Sequence, residues 1–203
     1  MYEPEESQNF VTEDLERISQ FYASAVEREK HLILSTSFTI GMFSVECGLS
    51  FARHFKPIVK LSSSMTAMTF DKDEWVALQK LMQTDGQAIT IYGFNVSVTE
   101  CLGAKMLTIS NIEGKYFYLS ESDVNELFKL NFCIIHKLDM LYNLNFSLYY
   151  TKFIEMIQDL NSDKPLDVMF AFCEILPSTQ SYGICECLYY LKDKLLADVN
   201  RYK

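Results

Sequence analysis

The chain has 203 residues, 49% of them apolar, and a formal net charge of −9 at pH 7. This apolar content is enough to build the core of one domain with an appendage, and it excludes an intrinsically disordered chain. The negative charge excludes indiscriminate binding to nucleic acid, because phosphates repel acidic proteins. Eight acidic and three basic residues give residues 1–30 a net charge of −5, so residues 31–203 carry only −4 and leave room for a local basic surface.

Two further features bear on where the protein acts. No uninterrupted apolar segment reaches the roughly 20 residues that a membrane helix needs. The start of the chain is acidic and lacks the positively charged region of a secretory signal. We therefore expect no membrane partner, a nuclear or cytoplasmic location, and free thiols at the six cysteines, since a reducing compartment keeps cysteines unpaired.

The acidic N-terminal segment, residues 1–30, contains the first predicted helix. Apolar residues recur at helical spacing from Val11 onward, and Thr12 is a suitable N-cap. The pattern predicts a helix from about residue 12 to residue 28 with one apolar side. Such a helix should dock against the rest of the protein, and its acidic residues could shield a basic surface.

From His31 the apolar period shortens to about two, which indicates strands. The predicted strands lie near residues 31–36, 38–46, 49–54, 57–61 and 65–70. A helix is predicted over residues 72–83, with Asp71 as N-cap and Glu74 three residues later, which is the spacing of a capping box. Gly86 suits the left-handed end of this helix.

A second set of elements repeats the first. Strand patterns occupy residues 88–98, 106–110 and 115–119, with a hairpin turn at residues 111–114, and Ser120 and Asp123 have capping-box spacing at the start of a helix. At an offset of 49 residues, Phe70 matches Leu119, Trp75 matches Val124, Leu78 matches Leu127 and Leu81 matches Leu130. The dipeptides Glu46-Cys47 and Glu100-Cys101 also match, at an offset of 54 residues.

These matches predict an α+β fold made of two tandem antiparallel sheet-plus-helix repeats and a helical C-terminal region. The repeats are residues 31–85 and 86–140, and together they form a core over residues 31–140. The helical C-terminal region is residues 141–203.

Within that C-terminal region the apolar spacing stays helical to the end of the chain. A break is predicted near residues 143–145, where two asparagines interrupt the pattern. One helix is predicted from Pro165 to Pro177, because proline is favoured at a helix start and ends the helix that precedes it. A last helix is predicted from about residue 181 to residue 199.

The sequence contains no motif for catalysis or metal binding. Cys185-x-Cys187 has no second cysteine or histidine pair at zinc-site spacing, and on a helix its two side chains diverge. The three histidines form no HExxH pattern, and no glycine-rich phosphate loop occurs. Asp71, Asp73 and Glu74 cluster, but acidic residues are favoured at a helix start. We therefore expect no metal, no cofactor and no enzymatic activity.

Aromatic residues on the second set of strands indicate a binding surface. Tyr116 and Tyr118 are two residues apart, so both should lie on one face of the sheet and Phe117 on the other. Lys105 and Lys115 lie near them in the predicted sheet. Tyrosine rings with flanking lysines are typical of surfaces that stack exposed bases and hold their phosphates. The alternative is that these rings pack beneath the C-terminal helices.

The junction between strands and helix resembles the transcriptional coactivator family called positive cofactor four. In that family the strands are followed by a helix that opens with a leucine–serine–x–x–x–tryptophan pattern. The counterparts here are Phe70-Asp71-Lys72-Asp73-Glu74-Trp75 and Leu119-Ser120-Glu121-Ser122-Asp123-Val124. Two tandem copies in one chain resemble the Whirly fold, whose members also bind single-stranded DNA. The likeness covers residues 31–140, and Val124 replaces the tryptophan in the second copy.

The resemblance implies a sheet surface that meets single-stranded nucleic acid. The residues that it implies for this role are Lys56, Lys60, Lys105, Lys115, Tyr116 and Tyr118. The leading hypothesis is a non-enzymatic protein that binds single-stranded DNA or RNA in replication or transcription, as a homo-oligomer, with a viral origin as one option. The alternative is a protein-interaction or oligomerisation module without nucleic-acid binding, which the acidic charge and the tyrosine-rich helical tail favour.

Overall fold

A computed structural model of the chain describes residues 31–83, 88–101, 103–159 and 176–190. The strands are β1 Ile33–Ile40, β2 Phe43–Ser50, β3 Lys56–Ser62, β4 Ala67–Phe70, β5 Ile89–Ile91, β6 Phe94–Cys101, β7 Ala104–Asn111 and β8 Tyr116–Leu119. The helices in the described residues are α1 Lys72–Leu81, α2 Glu121–Asn143, α3 Phe146–Asp159 and α4 Ser178–Tyr190, and a 3-10 turn spans Phe51–Arg53. The predicted helix over residues 12–28, the predicted helix from Pro165, the role of Gly86 and the last helix beyond residue 190 lie outside the described residues.

The strands form two four-stranded antiparallel sheets. The first sheet has the order β1-β2-β3-β4, the second sheet has the order β5-β6-β7-β8, and each is followed by a helix. This arrangement confirms the predicted α+β fold class with two tandem sheet-plus-helix repeats. None of the described helices combines the length and the apolar character that crossing a membrane requires.

The first repeat has four strands where the sequence pattern predicted five. The predicted boundary near residue 37 is wrong, because β1 continues through it, and the alternation is interrupted instead by an irregular register between Ile33 and Thr36. The predicted strand at residues 49–54 is also wrong beyond Ser50. His54 and Phe55 have φ angles of 52° and 60°, two successive residues in the left-handed region, so the chain turns here instead of continuing as a strand.

Both predicted helix starts are confirmed by their hydrogen bonds. At α1 the Glu74 N–H donates to the Asp71 carboxylate over 2.9 Å, and the Asp71 N–H donates to Glu74 over 2.7 Å. At α2 the Asp123 N–H donates to the Ser120 hydroxyl over 3.2 Å, and the Ser120 N–H donates to Asp123 over 2.9 Å. The predicted break after α2 is confirmed as well, since Asn145 separates α2 from α3 with a φ of 47°.

The two repeats share one apolar core. The ring of Phe43 in the first sheet lies 5.7 Å from that of Phe117 in the second, and Phe70 lies 4.7 Å from Phe94. Trp75 on α1 is fully buried in the same core. Helix α2 contacts β2 and β3 of the first sheet and β7 and β8 of the second. Because each repeat buries its apolar face against the other, they form a single packed unit.

The helical tail packs against the first repeat and builds a second core with it. Phe55 lies between two tail residues, with ring centroids 5.0 Å from Phe146 and 4.7 Å from Tyr150. Helix α4 reaches β1, where the backbone N–H of Leu34 donates to the Glu186 carboxylate over 2.5 Å. This bond satisfies a backbone donor at the point where the register of β1 is irregular.

Candidate nucleic-acid interface

The outer face of the second sheet carries two adjacent tyrosines. In the strand register Tyr116 lies opposite Ser110 and Tyr118 lies opposite Thr108, so these four side chains share one face. Tyr116 and Tyr118 are 52% and 50% exposed, whereas Phe117 between them is 1% exposed. We call this surface the tyrosine face, and register places on it Thr90, Asn95, Ser97, Thr99, Met106, Thr108, Ser110, Tyr116 and Tyr118.

The orientation of the tyrosines is set by the core beneath them. Phe117 and Leu119 are buried in the shared core, so the alternating residues Tyr116 and Tyr118 must point outward. A slip of one residue would bury both tyrosine hydroxyls and expose two apolar side chains. The capped start of α2 at Ser120 follows directly and holds the end of β8 in place. The rings therefore project from a backbone that is held on both sides.

Hydroxyl and amide groups lie beside the rings. The hydroxyls of Thr99 and Thr108 are 2.7 Å apart across β6 and β7. The Thr90 hydroxyl donates to the side-chain oxygen of Asn95. Asn95 and Thr99, on either side of Ser97 on this face of β6, are exposed, whereas Thr108 is buried. Short polar side chains thus surround the two rings without covering them.

The corresponding face of the first sheet has a different chemistry. Glu46 and Lys60 lie opposite each other on β2 and β3, with the Lys60 Nζ 3.7 Å from a Glu46 carboxylate oxygen. Beside them the Arg53 guanidinium donates to the Thr69 hydroxyl over 2.7 Å. We call this surface the charged face, and register places on it Thr39, Ser44, Glu46, Lys60, Ser62, Ala67 and Thr69.

Lys56 is held by the cap of α1. Its Nζ lies 2.7 Å from the Asp71 carboxylate, and this hydrogen bond raises the pKa of the Lys56 ammonium above its ordinary value. Partial burial alone would raise the pKa of the Asp71 carboxyl. The backbone N–H of Glu74 and the Lys56 ammonium outweigh it, so the pKa of Asp71 lies below its ordinary value. Lys56 therefore already has an anionic partner within the protein.

Lys105 lies on the opposite face of the second sheet from the tyrosines, and Lys115 does not belong to a strand. Lys105 is opposite Glu100 in the register, on the face that also carries Leu107. Lys115 lies in the turn before β8, 2.8 Å from the Glu113 carboxylate, and the hydrogen bond from Lys115 holds the pKa of Glu113 below its ordinary value despite partial burial.

The resemblance implies one sheet surface for all six residues, but in the structure they do not share one surface. Tyr116 and Tyr118 lie together on the second sheet, with Lys115 beside them in the chain, and Lys105 lies on the opposite face of that sheet. Lys56 and Lys60 belong to the first sheet. Alternation along β7 separates Lys105 from the tyrosines, and a different sheet separates the other two.

Sequence reasoning missed the polar members of the tyrosine face. Asn95, Ser97 and Thr108 are ordinary strand residues in the chain, and only the cross-strand register brings them next to the tyrosines. Their alternation with buried Val96 and Ile109 is the signal that could have assigned them to the outer face.

Comparisons with protein-family models, with curated proteins and with solved structures found no significant match to this chain. Within the described ranges, no three His, Cys, Asp or Glu side chains gather closely enough to hold a metal ion. Among the described surfaces, the tyrosine face carries two half-exposed rings at successive outward positions of one strand.

Proposed function

We propose that this protein binds single-stranded nucleic acid through the tyrosine face, without acting on it chemically, in replication or transcription. The observation that carries the proposal is the pair of half-exposed rings of Tyr116 and Tyr118 on one strand, anchored by the buried Phe117 between them. Base stacking on an aromatic side chain contributes about 1–3 kcal/mol for each base. Two such rings on a preorganised strand supply the affinity of a weak to moderate binding site.

The spacing of the rings favours unpaired bases over a duplex. Residues two apart on a strand are separated by about 6.6 Å. This is about twice the 3.4 Å step of one strand in duplex DNA, so each ring can take one base only where neighbouring bases have been pulled apart. Bases in a duplex remain stacked on one another and do not offer their flat faces.

The polar side chains around the rings support the same ligand. Hydroxyl and amide groups such as those of Ser97, Ser110 and Asn95 can pair with base edges or with a ribose 2′-hydroxyl. Both DNA and RNA therefore fall within the proposal, and a difference in affinity between them would report on contacts to the 2′-hydroxyl.

The proposal is tested by fluorescence anisotropy with labelled strands of about ten nucleotides, a length within the range that a single binding fold covers. Oligothymidine should bind, its duplex with oligoadenosine should bind more weakly, and Tyr116→Ala and Tyr118→Ala should each weaken binding about 5- to 150-fold. Tyr92→Ala is the matched control, because Tyr92 is 60% exposed at the β5–β6 turn and lines a groove with Ala77 and Lys80 of α1. Equal affinity for all variants, or no binding by the wild type, would refute the proposal.

A second candidate function is self-association through α2. Phe132 and Met140 on this helix are 80% and 57% exposed, and the Phe132 ring stacks on His136 with their centroids 6.3 Å apart. Large apolar side chains at such exposure are frequent in protein interfaces. Sedimentation equilibrium should then give an oligomer that Phe132→Ser converts to monomer. A monomeric wild type at all concentrations would eliminate this candidate.

A further inference from the structure

We infer that the two repeats have diverged in function: the tyrosine face recognises the bases of an unpaired strand without phosphate contacts of its own, and the charged face of the first repeat does not bind. The inference rests on the proposed function and specifies which part of the ligand the protein reads. It predicts one site, on the second repeat, whose binding requires bases and depends little on salt concentration. It does not predict two equivalent electrostatic sites.

The strand registers define which positions of the two repeats are equivalent. Met68 lies opposite Leu61 in the first sheet, as Phe117 lies opposite Ile109 in the second. The outward residues on either side of Phe117 are Tyr116 and Tyr118. The first-sheet residues in the same places are Ala67 and Thr69. The first repeat therefore has a methyl group and a hydroxyl where the second has two rings, and it offers no platform for stacking.

A second difference lies in the middle of each face. Ser97 and Thr108 form a directly opposed pair in the second sheet, and the equivalent pair in the first sheet is Glu46 and Lys60. The Lys60 side chain is only 14% exposed and its charge faces Glu46, 3.7 Å away. A phosphate approaching Lys60 would therefore also meet the Glu46 carboxylate. At these equivalent positions the charged face offers no ring for a base, and the charge of Lys60 is compensated by Glu46.

The tyrosine face contrasts with this because its nine residues include no charged side chain. Lys115 is the nearest lysine in the chain, and Glu113 lies 2.8 Å from its Nζ. The protein as a whole carries a charge of −9. Counterion release by bound lysines is therefore a small source of affinity, and the contacts that remain are those of rings and hydroxyls with bases.

The salt dependence of binding distinguishes a site that contacts bases from a site that contacts phosphates through lysines. For a single strand, the logarithm of the binding constant falls with the logarithm of salt concentration with a slope of about −0.7 per neutralised phosphate. Contacts by Lys56, Lys60, Lys105 and Lys115 together would give a slope of about −2.8, or about a fifty-fold loss between 50 and 200 mM salt. One contact by Lys115 would give about a three-fold loss.

Three probes of equal length decide which part of the strand is read: oligothymidine, a phosphodiester strand without bases, and a thymine strand on an uncharged peptide backbone. We expect the two thymine strands to bind with affinities within about three-fold of each other at 150 mM salt, because at most one phosphate contributes. The strand without bases should show no binding. If it binds as well as oligothymidine, or if the uncharged thymine strand fails to bind while oligothymidine binds, the inference is overturned.

Variants decide which repeat is used. The double variant Glu46→Ser/Lys60→Thr replaces the charged pair of the first sheet by the residue types of Ser97 and Thr108, and the net charge stays the same. It should leave the affinity for oligothymidine unchanged. Tyr118→Ala should weaken binding, and Tyr118→Phe, which keeps the ring, should retain it and so serves as the control for folding. A loss of binding in the double variant, with its fold intact by circular dichroism, would overturn the division between the repeats. No binding of any strand would instead refute the proposed function, and this inference with it.

Discussion

Replacing Asn131 by alanine should destabilise both repeats together, because its side chain holds the buried tryptophan of the first repeat. The indole N–H of Trp75 donates to the Asn131 side-chain oxygen over 3.1 Å, which joins α1 to α2. Trp75 is 0% exposed. Its N–H therefore has no access to water once the acceptor is removed, and the penalty for a buried unpaired donor applies in full.

The magnitude follows from this geometry. A buried donor left without a partner costs about 1–3 kcal/mol. For a protein of this length 1 kcal/mol lowers the melting temperature by about 2–4 °C, so Asn131→Ala should lower it by about 2–12 °C. Trp75→Phe removes the donor itself, and the double variant should therefore lose less than the sum of the two single variants. We expect a coupling energy of about 0.5–1.5 kcal/mol between the two positions.

The assay is urea unfolding followed by circular dichroism, with Asn125→Ala as the control because Asn125 is an exposed asparagine on the same helix. Trp75 is the one tryptophan in the sequence, so fluorescence of proteins that retain it reports on the same contact. Fluorescence and circular dichroism should unfold in one coincident transition, because the repeats share a core. A coupling energy near zero, or two separate transitions, would refute the reasoning.

Three further predictions follow from individual side chains. Asp71→Ala should lower the free energy of unfolding by about 1 kcal/mol at pH 7, because the helix cap is lost. The pKa of Asp71 in the folded protein lies below its ordinary 3.8, so the Asp71 carboxylate stabilises the fold above pH 3.8. Urea titrations at lower pH should therefore show a shrinking difference in stability between wild type and variant. Cys185 is exposed whereas burial raises the pKa of the Cys187 thiol, so iodoacetamide followed by mass spectrometry should label Cys185 in the native state and Cys187 only after unfolding. Gly48→Ala places a Cβ 2.7 Å from the Cβ of Leu32, just before β1, and 2.9 Å from that of Ser35 in β1, and it should cost about 1–3 kcal/mol in a thermal melt. An unchanged melting temperature would show that this segment shifts freely.

Local features of the chain were predictable because they depend on neighbouring residues. The cap at Asp71 needs only Glu74 three residues later, and the same spacing at Ser120 determines the start of α2. The opposite orientations of Phe117 and its two tyrosine neighbours follow from strand alternation alone.

Features that depend on register could not be obtained in this way. The match between Glu46-Cys47 and Glu100-Cys101 suggested an equivalence, but the register places Glu46 in the position of Ser97. A sequence comparison pairs residues because they are identical. In the structure, the position of a residue in the sheet is set instead by the turns and by the side chains that the core buries. The irregular start of β1 at Leu34, where φ is 54°, has the same origin, since a partner on distant α4 accepts its N–H.

For this protein the sequence by itself determined the repeat, the helix caps and the alternation that turns Tyr116 and Tyr118 to one face. The tertiary structure alone decided that Lys105 lies behind that face and that Lys60 is neutralised by Glu46. The physical reason is range: caps and alternation arise from contacts between residues a few positions apart. The charge of a surface depends on pairs that meet only when strands choose their partners.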